Sequence, residues 1–158
     1  MSKLKFLPLL LTPLFLFALS GKVIKVTDGD TIKILTPTNE QIKIRLYGID
    51  APEKKQPFGK KSKEFLAGLI AGKFVEIEEY GKDRYKRTLG VVYYGDEDIN
   101  AKMVLSGYAW AFMRYSDRYE AQEAMAKNKR LGLWQGKNPI QPWRYRHIAN
   151  FILSVPTK

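Results

Sequence analysis

The 158-residue sequence has no cysteine and a single histidine, His147. The first absence excludes a disulfide framework, a zinc–thiolate centre and a cysteine nucleophile together. The second removes any imidazole cluster, so a metal bound here is held by oxygen, which selects Ca²⁺ or Mg²⁺ before Zn²⁺. Acidic residues are also scarce: 16 against 27 lysines and arginines, for a formal net charge of +11. Such an excess favours polyanionic partners and fast, salt-sensitive encounter with them. Internal repeats and low-complexity segments are missing. With 45% apolar and 13% aromatic residues the chain can build one well-cored domain, and it is too short for two.

The only long apolar run is at the N-terminus. Lys3 and Lys5 precede an apolar stretch from Phe6 to Leu19, and Ala18-Leu19-Ser20 places small residues at the two positions a signal peptidase reads. Pro8, Pro13 and the modest length argue against a permanent membrane span, which needs about 20 apolar residues. Residues 1–20 are therefore read as a signal peptide, with an uncleaved anchor as the alternative. The mature chain is expected to be secreted or held in the periplasm or cell envelope, free of the membrane. Its charge falls from +11 to +9, because Lys3 and Lys5 leave and no acid does.

Short alternating segments come next. The spacing predicts a strand over 21–27 with Ile24 and Val26 on one face, then the turn Asp28-Gly29-Asp30. A second strand over 31–35 turns Ile32 and Ile34 inward, and a third over 41–47 carries Ile42, Ile44 and Leu46 opposite Gln41, Lys43 and Arg45. A basic loop leads into a helix marked by Phe58, Phe65, Leu66, Leu69 and Ile70 and ended near Gly72. Strands are predicted over 73–79 and 87–94, then a short helix capped by Asp98 or Asn100 and ended at Gly107. A charged helix over 117–130 is expected to bury Ala121, Ala124, Met125 and Leu131. Trp110 and Phe112 are assigned to the core. After Gly136 no periodicity is evident; Trp143 and Tyr145 are expected to lie back on the domain. Three strands, a helix, two strands and two helices make an α+β, mainly β fold: a five-stranded OB-fold Greek-key barrel with three helices. The domain spans 21–135, and residues 136–158 form a tail packed on it or trailing it.

Asp28, Asp30, Asp50 and Glu53 lie on two loops that strand pairing can bring together. Four carboxylates suit a hard cation, and the carbonyl of Ala51 is a natural further ligand for calcium. Arg45 and Arg87 offer forked guanidiniums that match phosphate oxygens and stay charged at any relevant pH. Glu53 belongs to the only class of base the site offers. Tyr85, between Arg84 and Lys86, and Tyr115, after Arg114, could stack on bases or pack on a bound nucleotide, although either tyrosine alone reads as structural. Each acidic segment alone reads as an ordinary turn, since Asp and Gly are common there. The pair beside Arg45 points to phosphodiester chemistry.

At these residues the chain resembles the staphylococcal nuclease (thermonuclease) family. The matching pieces are Val26-Thr27-Asp28-Gly29-Asp30-Thr31, the stretch from Arg45 to Glu53 with Asp50, Pro52 and Glu53 in order, and Asp83-Arg84-Tyr85-Lys86-Arg87 with Leu89. Gly107-Tyr108-Ala109 through Tyr115, Glu120-Ala121 and Leu133-Trp134 also fit, so the likeness runs from Gly21 to Trp134. The resemblance implies an OB-fold barrel with three helices. It implies calcium-dependent cleavage of single- and double-stranded DNA and RNA at the 5′-oxygen side, leaving 3′-phosphates. Asp30 and Asp50 would ligate Ca²⁺ with the carbonyl of Ala51, and Asp28 would act through water. Arg45 and Arg87 would contact the scissile phosphate, and Glu53 would act as the base or position it. Arg84, Tyr85 and Tyr115 would surround the terminal phosphate and sugar. The expected protein is a monomeric endonuclease without a stable protein partner.

Two positions depart from the family pattern: Lys86 stands where glycine is frequent, and Met113-Arg114 lacks one tyrosine of a pair. The rival reading from another class is a non-catalytic OB-fold module that binds nucleic acid. A third is an OB-fold that binds oligosaccharide or protein, which would leave the paired acids and arginines without a shared purpose.

Overall fold

Apolar–polar alternation builds the first three strands of the computed structural model, which describes residues 19–154, with side chains to 151. Residues 1–18 of the expected signal segment lie outside that range, while Leu19 and Ser20 open the first strand. β1 (Leu19–Asp28), β2 (Thr31–Leu35) and β3 (Gln41–Leu46) form an antiparallel meander. Ile32, Ile34, Ile44 and Leu46 are fully buried, as the alternation predicts. In β1 the phase differs from expectation: Val23 and Val26 are buried and Ile24 is exposed. A register irregularity between Val23 and Lys25 adds one residue to β1 against β2, and that bulge switches the face of the residues beyond it.

A two-residue strand, β4 (Ile49–Asp50), precedes α1 (Gly59–Ile70), which buries Leu66 and Ile70. β5 (Phe74–Lys82) and β6 (Thr88–Tyr94) form the next hairpin, and β7 (Glu97–Asp98) adds an edge. The sheet runs β3-β2-β1-β5-β6-β7, and β3 also pairs with β6 in parallel, Arg45 opposite Leu89. That last pairing closes a five-stranded OB-fold barrel. α2 (Ile99–Leu105) starts at Asp98, whose carboxylate accepts the amide of Ala101. Buried Asn100 joins the closing strands: its amide donates to the carbonyls of Tyr47 and Gly90, and its oxygen accepts from Val92.

β8 (Trp110–Ala111) pairs with β4, followed by α3 (Glu120–Asn128) and a 3₁₀ turn over Gly132–Gln135. The buried face of α3 is not the expected one. Ala121, Ala124, Met125 and Leu131 are exposed, while Ala126 is buried and Glu123 is turned inward. The cause is polar: Glu123 accepts the free amide of Ala111 at 3.0 Å, and Tyr119 fills the core beside it with its hydroxyl on Asp98. Trp110 is buried as expected, whereas Phe112 is only half-buried.

A fourth helix, α4 (Pro142–Ser154), replaces the aperiodic tail. Trp143 and Tyr145 do lie against the domain: the Trp143 ring packs on Trp110 and Phe112, and the Tyr145 hydroxyl donates to the Lys55 carbonyl. Proline at the first helical position, where no amide bond is lost, is the start signal that the missing periodicity hid. Among the described residues no helix is long and apolar enough to cross a membrane.

Candidate functional site

The turn between β1 and β2 is set by Gly29. A Cβ there would sit 2.0 Å from the Ser62 hydroxyl of α1 and 2.7 Å from the Ala51 side chain. Only glycine lets this turn press against the second acidic segment. Asp30, 7% exposed, then receives the Ala51 amide on Oδ2 at 2.8 Å and the Thr31 hydroxyl on Oδ1 at 3.0 Å. Asp28 accepts the Asp30 amide at 3.1 Å and stands behind it.

Arg45 comes from the strand beside this turn, opposite Thr31 in the β2–β3 register. One of its nitrogens, Nη2, lies 3.2 Å from Asp30 Oδ2 and 3.0 Å from Asp50 Oδ1. Its other terminal nitrogen donates to the carbonyls of Leu46 and Ile49, which fixes the fork. Asp30 and Asp50 therefore share one guanidinium nitrogen, although they stand on separate loops of the chain. Arg87 stands just before β6, with Nε and Nη2 each 2.7 Å from Asp83 Oδ2. Its Nη1 reaches the Thr31 hydroxyl at 3.5 Å, and Thr31 in turn donates to Asp30. The two arginines thus reach the start of β2 from neighbouring strands.

Of the remaining residues named from the sequence, Glu53 joins this centre through Arg146 and Tyr85 meets it at Arg87. Glu53 is half-buried, its amide held by the Gln56 side chain. Exposed Tyr85 lies under the guanidiniums of Arg84, at 4.8 Å, and Arg87, at 5.5 Å. Tyr115 is exposed, set edge-on to Phe112, and its carbonyl accepts the Tyr47 hydroxyl. The glycine-to-lysine departure is tolerated locally: Lys86 has φ 61°, the left-handed conformation that glycine takes freely.

Burial and the neighbouring charge of Asp30 push the Asp28 carboxyl up to about 7. Burial also raises that of Asp50, against the opposing pull of Arg146 and Arg45. The centre therefore holds crowded, desolvated carboxylate that its arginines do not fully compensate. A hard divalent cation fits that deficit, and every donor available is oxygen. Asp30, Asp50 and the Ala51 carbonyl would hold it, with Asp28 one layer behind. Among the described residues no three His, Cys, Asp or Glu side chains form a group able to hold a metal, so a backbone carbonyl and water would have to complete the shell.

The family described as "Staphylococcal nuclease homologue" matches residues 43–136. The chain belongs to the staphylococcal nuclease family. Relatives include an "Uncharacterized endonuclease" of Haemophilus influenzae, 46% identical over 140 residues covering 86% of this chain and 79% of the relative. A "Micrococcal nuclease" of Shigella flexneri is 42% identical over 142 residues, 82% of this chain and 81% of its own. A "Staphylococcal-like nuclease" of Arabidopsis thaliana is 38% identical over 109 residues, 68% of this chain and 34% of its own.

Within this family frame, one site residue has no counterpart among those named from the sequence. Arg146 of α4 forks onto Asp50, Nη2 to Oδ2 at 2.8 Å and Nη1 to Oδ1 at 3.2 Å, and Nη1 also meets Glu53 Oε1 at 2.7 Å. It lies outside the matched region. The available signal is Pro142 as a helix start, with Trp143 and Arg146 three residues apart on one face.

Proposed function

We propose that the protein is an exported, calcium-dependent nuclease that hydrolyses phosphodiester bonds of DNA and RNA and leaves 3′-phosphates. The observation that carries the proposal is the single nitrogen of Arg45 shared by Asp30 and Asp50, with Arg87 reaching the adjacent Thr31. Two acidic bends and two phosphate-matched forks meet at the end of one strand, where a phosphodiester would find both. Membership of the family and the names its relatives carry support the same reading.

A cation held by Asp30, Asp50 and the Ala51 carbonyl would supply Lewis-acid polarisation of a phosphoryl oxygen and acidify a water beside it. Arg45 and Arg87 present N–H donors to the oxygens on which negative charge grows as the water attacks. Glu53 takes the proton from that water at its carboxylate. The bond to the 5′-oxygen breaks and that oxygen takes a proton from solvent, leaving a phosphate on the 3′ side and a hydroxyl on the 5′ side. Arg84, Tyr85 and Tyr115 take the terminal phosphate and sugar of the substrate. The protein acts as a monomer, and a basic surface draws the polyanion in.

The deciding assay incubates the purified protein with plasmid and with single-stranded DNA, with calcium and with chelator. Digestion is expected with calcium alone. Digestion unchanged by chelator would remove the cation from the proposal, and retention of DNA without digestion would make the protein a binding module.

A further inference from the structure

α4 is held lightly. Of its residues with described side chains only Pro142 is buried, and Arg144, His147, Ile148, Asn150 and Phe151 are exposed. A cleft of about 290 Å³ stays open between the helix and the segment from Ala111 to Arg114, bounded on the helix side by Trp143 and His147. Its docking contacts include the Trp143 ring against Phe112 at 5.2 Å and Trp110 at 5.9 Å, the Tyr145 hydroxyl on the Lys55 carbonyl, Gln56 donating to the Ile140 carbonyl just before the helix, and Arg146. That arginine covers both oxygens of Asp50 and one of Glu53. A calcium ion on Asp50 needs an oxygen at about 2.3–2.6 Å. The guanidinium already occupies that oxygen's outward face, and the two positive charges repel at such separations.

We propose that Arg146 is a tethered counter-ion of the candidate centre, which neutralises Asp50 and Glu53 until a divalent cation displaces it. α4 thereby sets the calcium concentration at which the site loads and frees Glu53 for its work as base. The helix acts through effective concentration: a cation on a docked helix competes far better than the same charge free in solution. This inference rests on the cation reading given above.

The test follows calcium binding to the full chain by titration calorimetry, with tryptophan emission recorded in parallel because the Trp143 ring touches Trp110 and Phe112. Arg146→Gln should bind calcium about tenfold or more tightly than the unmodified protein, with Arg146→Lys between the two. In the unmodified protein calcium should shift the tryptophan emission as α4 lifts. Trp143→Ala keeps every charge and should still tighten calcium binding several-fold, because it loosens the tether. Equal or weaker binding by Arg146→Gln would overturn the proposal and leave the cation reading standing. Tighter binding by Arg146→Gln without any effect of Trp143→Ala would overturn the tether. No calcium binding by any of the proteins would overturn both readings.

Discussion

A carboxyl held near 7 by burial and by Asp30 makes Asp28 a liability for the cation-free fold. The folded protein keeps a proton there that the unfolded chain, titrating near 3.8, has already lost. Stability from this residue is therefore fully present below about pH 4 and is lost progressively up to about pH 7, where the folded carboxyl finally ionises. Urea unfolding in chelator should show the decline, and Asp28→Asn should flatten it and raise stability above about pH 7. Arg45 has the opposite role. Its guanidinium is mostly buried and bridges two carboxylates, so Arg45→Ala strips Asp30 of its counter-charge, leaves Asp50 to Arg146 alone, and should cost about 3 kcal/mol in the same experiment. Arg87 touches less of the fold and is read through kinetics. Arg87→Lys keeps the charge but loses the fork, and kcat should fall about 10²-fold or more while KM changes far less. Equal losses in both would mean that Arg87 only holds substrate. The convergence of Asp30, Asp50, Arg45 and Arg87 is legible in the sequence because turn and strand signals put them at adjoining strand ends. Arg146 is not, because a lone arginine in an aromatic-rich tail carries no chemical pattern until the helix beneath it is known.

Elements show where alternation is a sufficient guide and where it fails. β2 and β3 pair without irregularity, and their inward residues are readable one by one. β1 is not, since a bulge at Ile24 is a property of the pairing rather than of the strand's own residues. α3 misleads for a different reason: its apolar residues suggest a buried face, but a carboxylate, Glu123, is the group the barrel needs, to satisfy the amide of Ala111. The turn from Asp83 to Arg87 is readable in both chemistry and cost. Asp83 accepts the amides of Tyr85 and Arg87 on one oxygen and the Arg87 side chain on the other, which outweighs its burial and holds its carboxyl below the usual range. The left-handed backbone of Lys86 costs about 1 kcal/mol. Lys86→Gly should recover roughly that amount in thermal unfolding.

At the scale of the molecule, the barrel has no covalent staple and is closed by the parallel contact of β3 with β6. Export by signal cleavage after Ser20 would remove the pairings of Leu19 with Ile77 and Ser20 with Glu76, leaving those of Gly21 and Lys22 with β5. A protein recovered outside the cytoplasm should begin at Gly21 by mass spectrometry, with a melting temperature within a few degrees of a chain begun at Leu19. A retained N-terminus would return the anchor reading. The closing contact also bears on how such a chain can change in length. The bend at 36–40 lies at the far end of β3 from Arg45, and the bend at 95–96 at the far end of β6 from Arg87. Lineages can lengthen either bend and keep the gap between the two guanidiniums. A single residue added between Asp83 and Arg87 has no such freedom, since it would part the Arg87 amide and guanidinium from the Asp83 carboxylate that aims them.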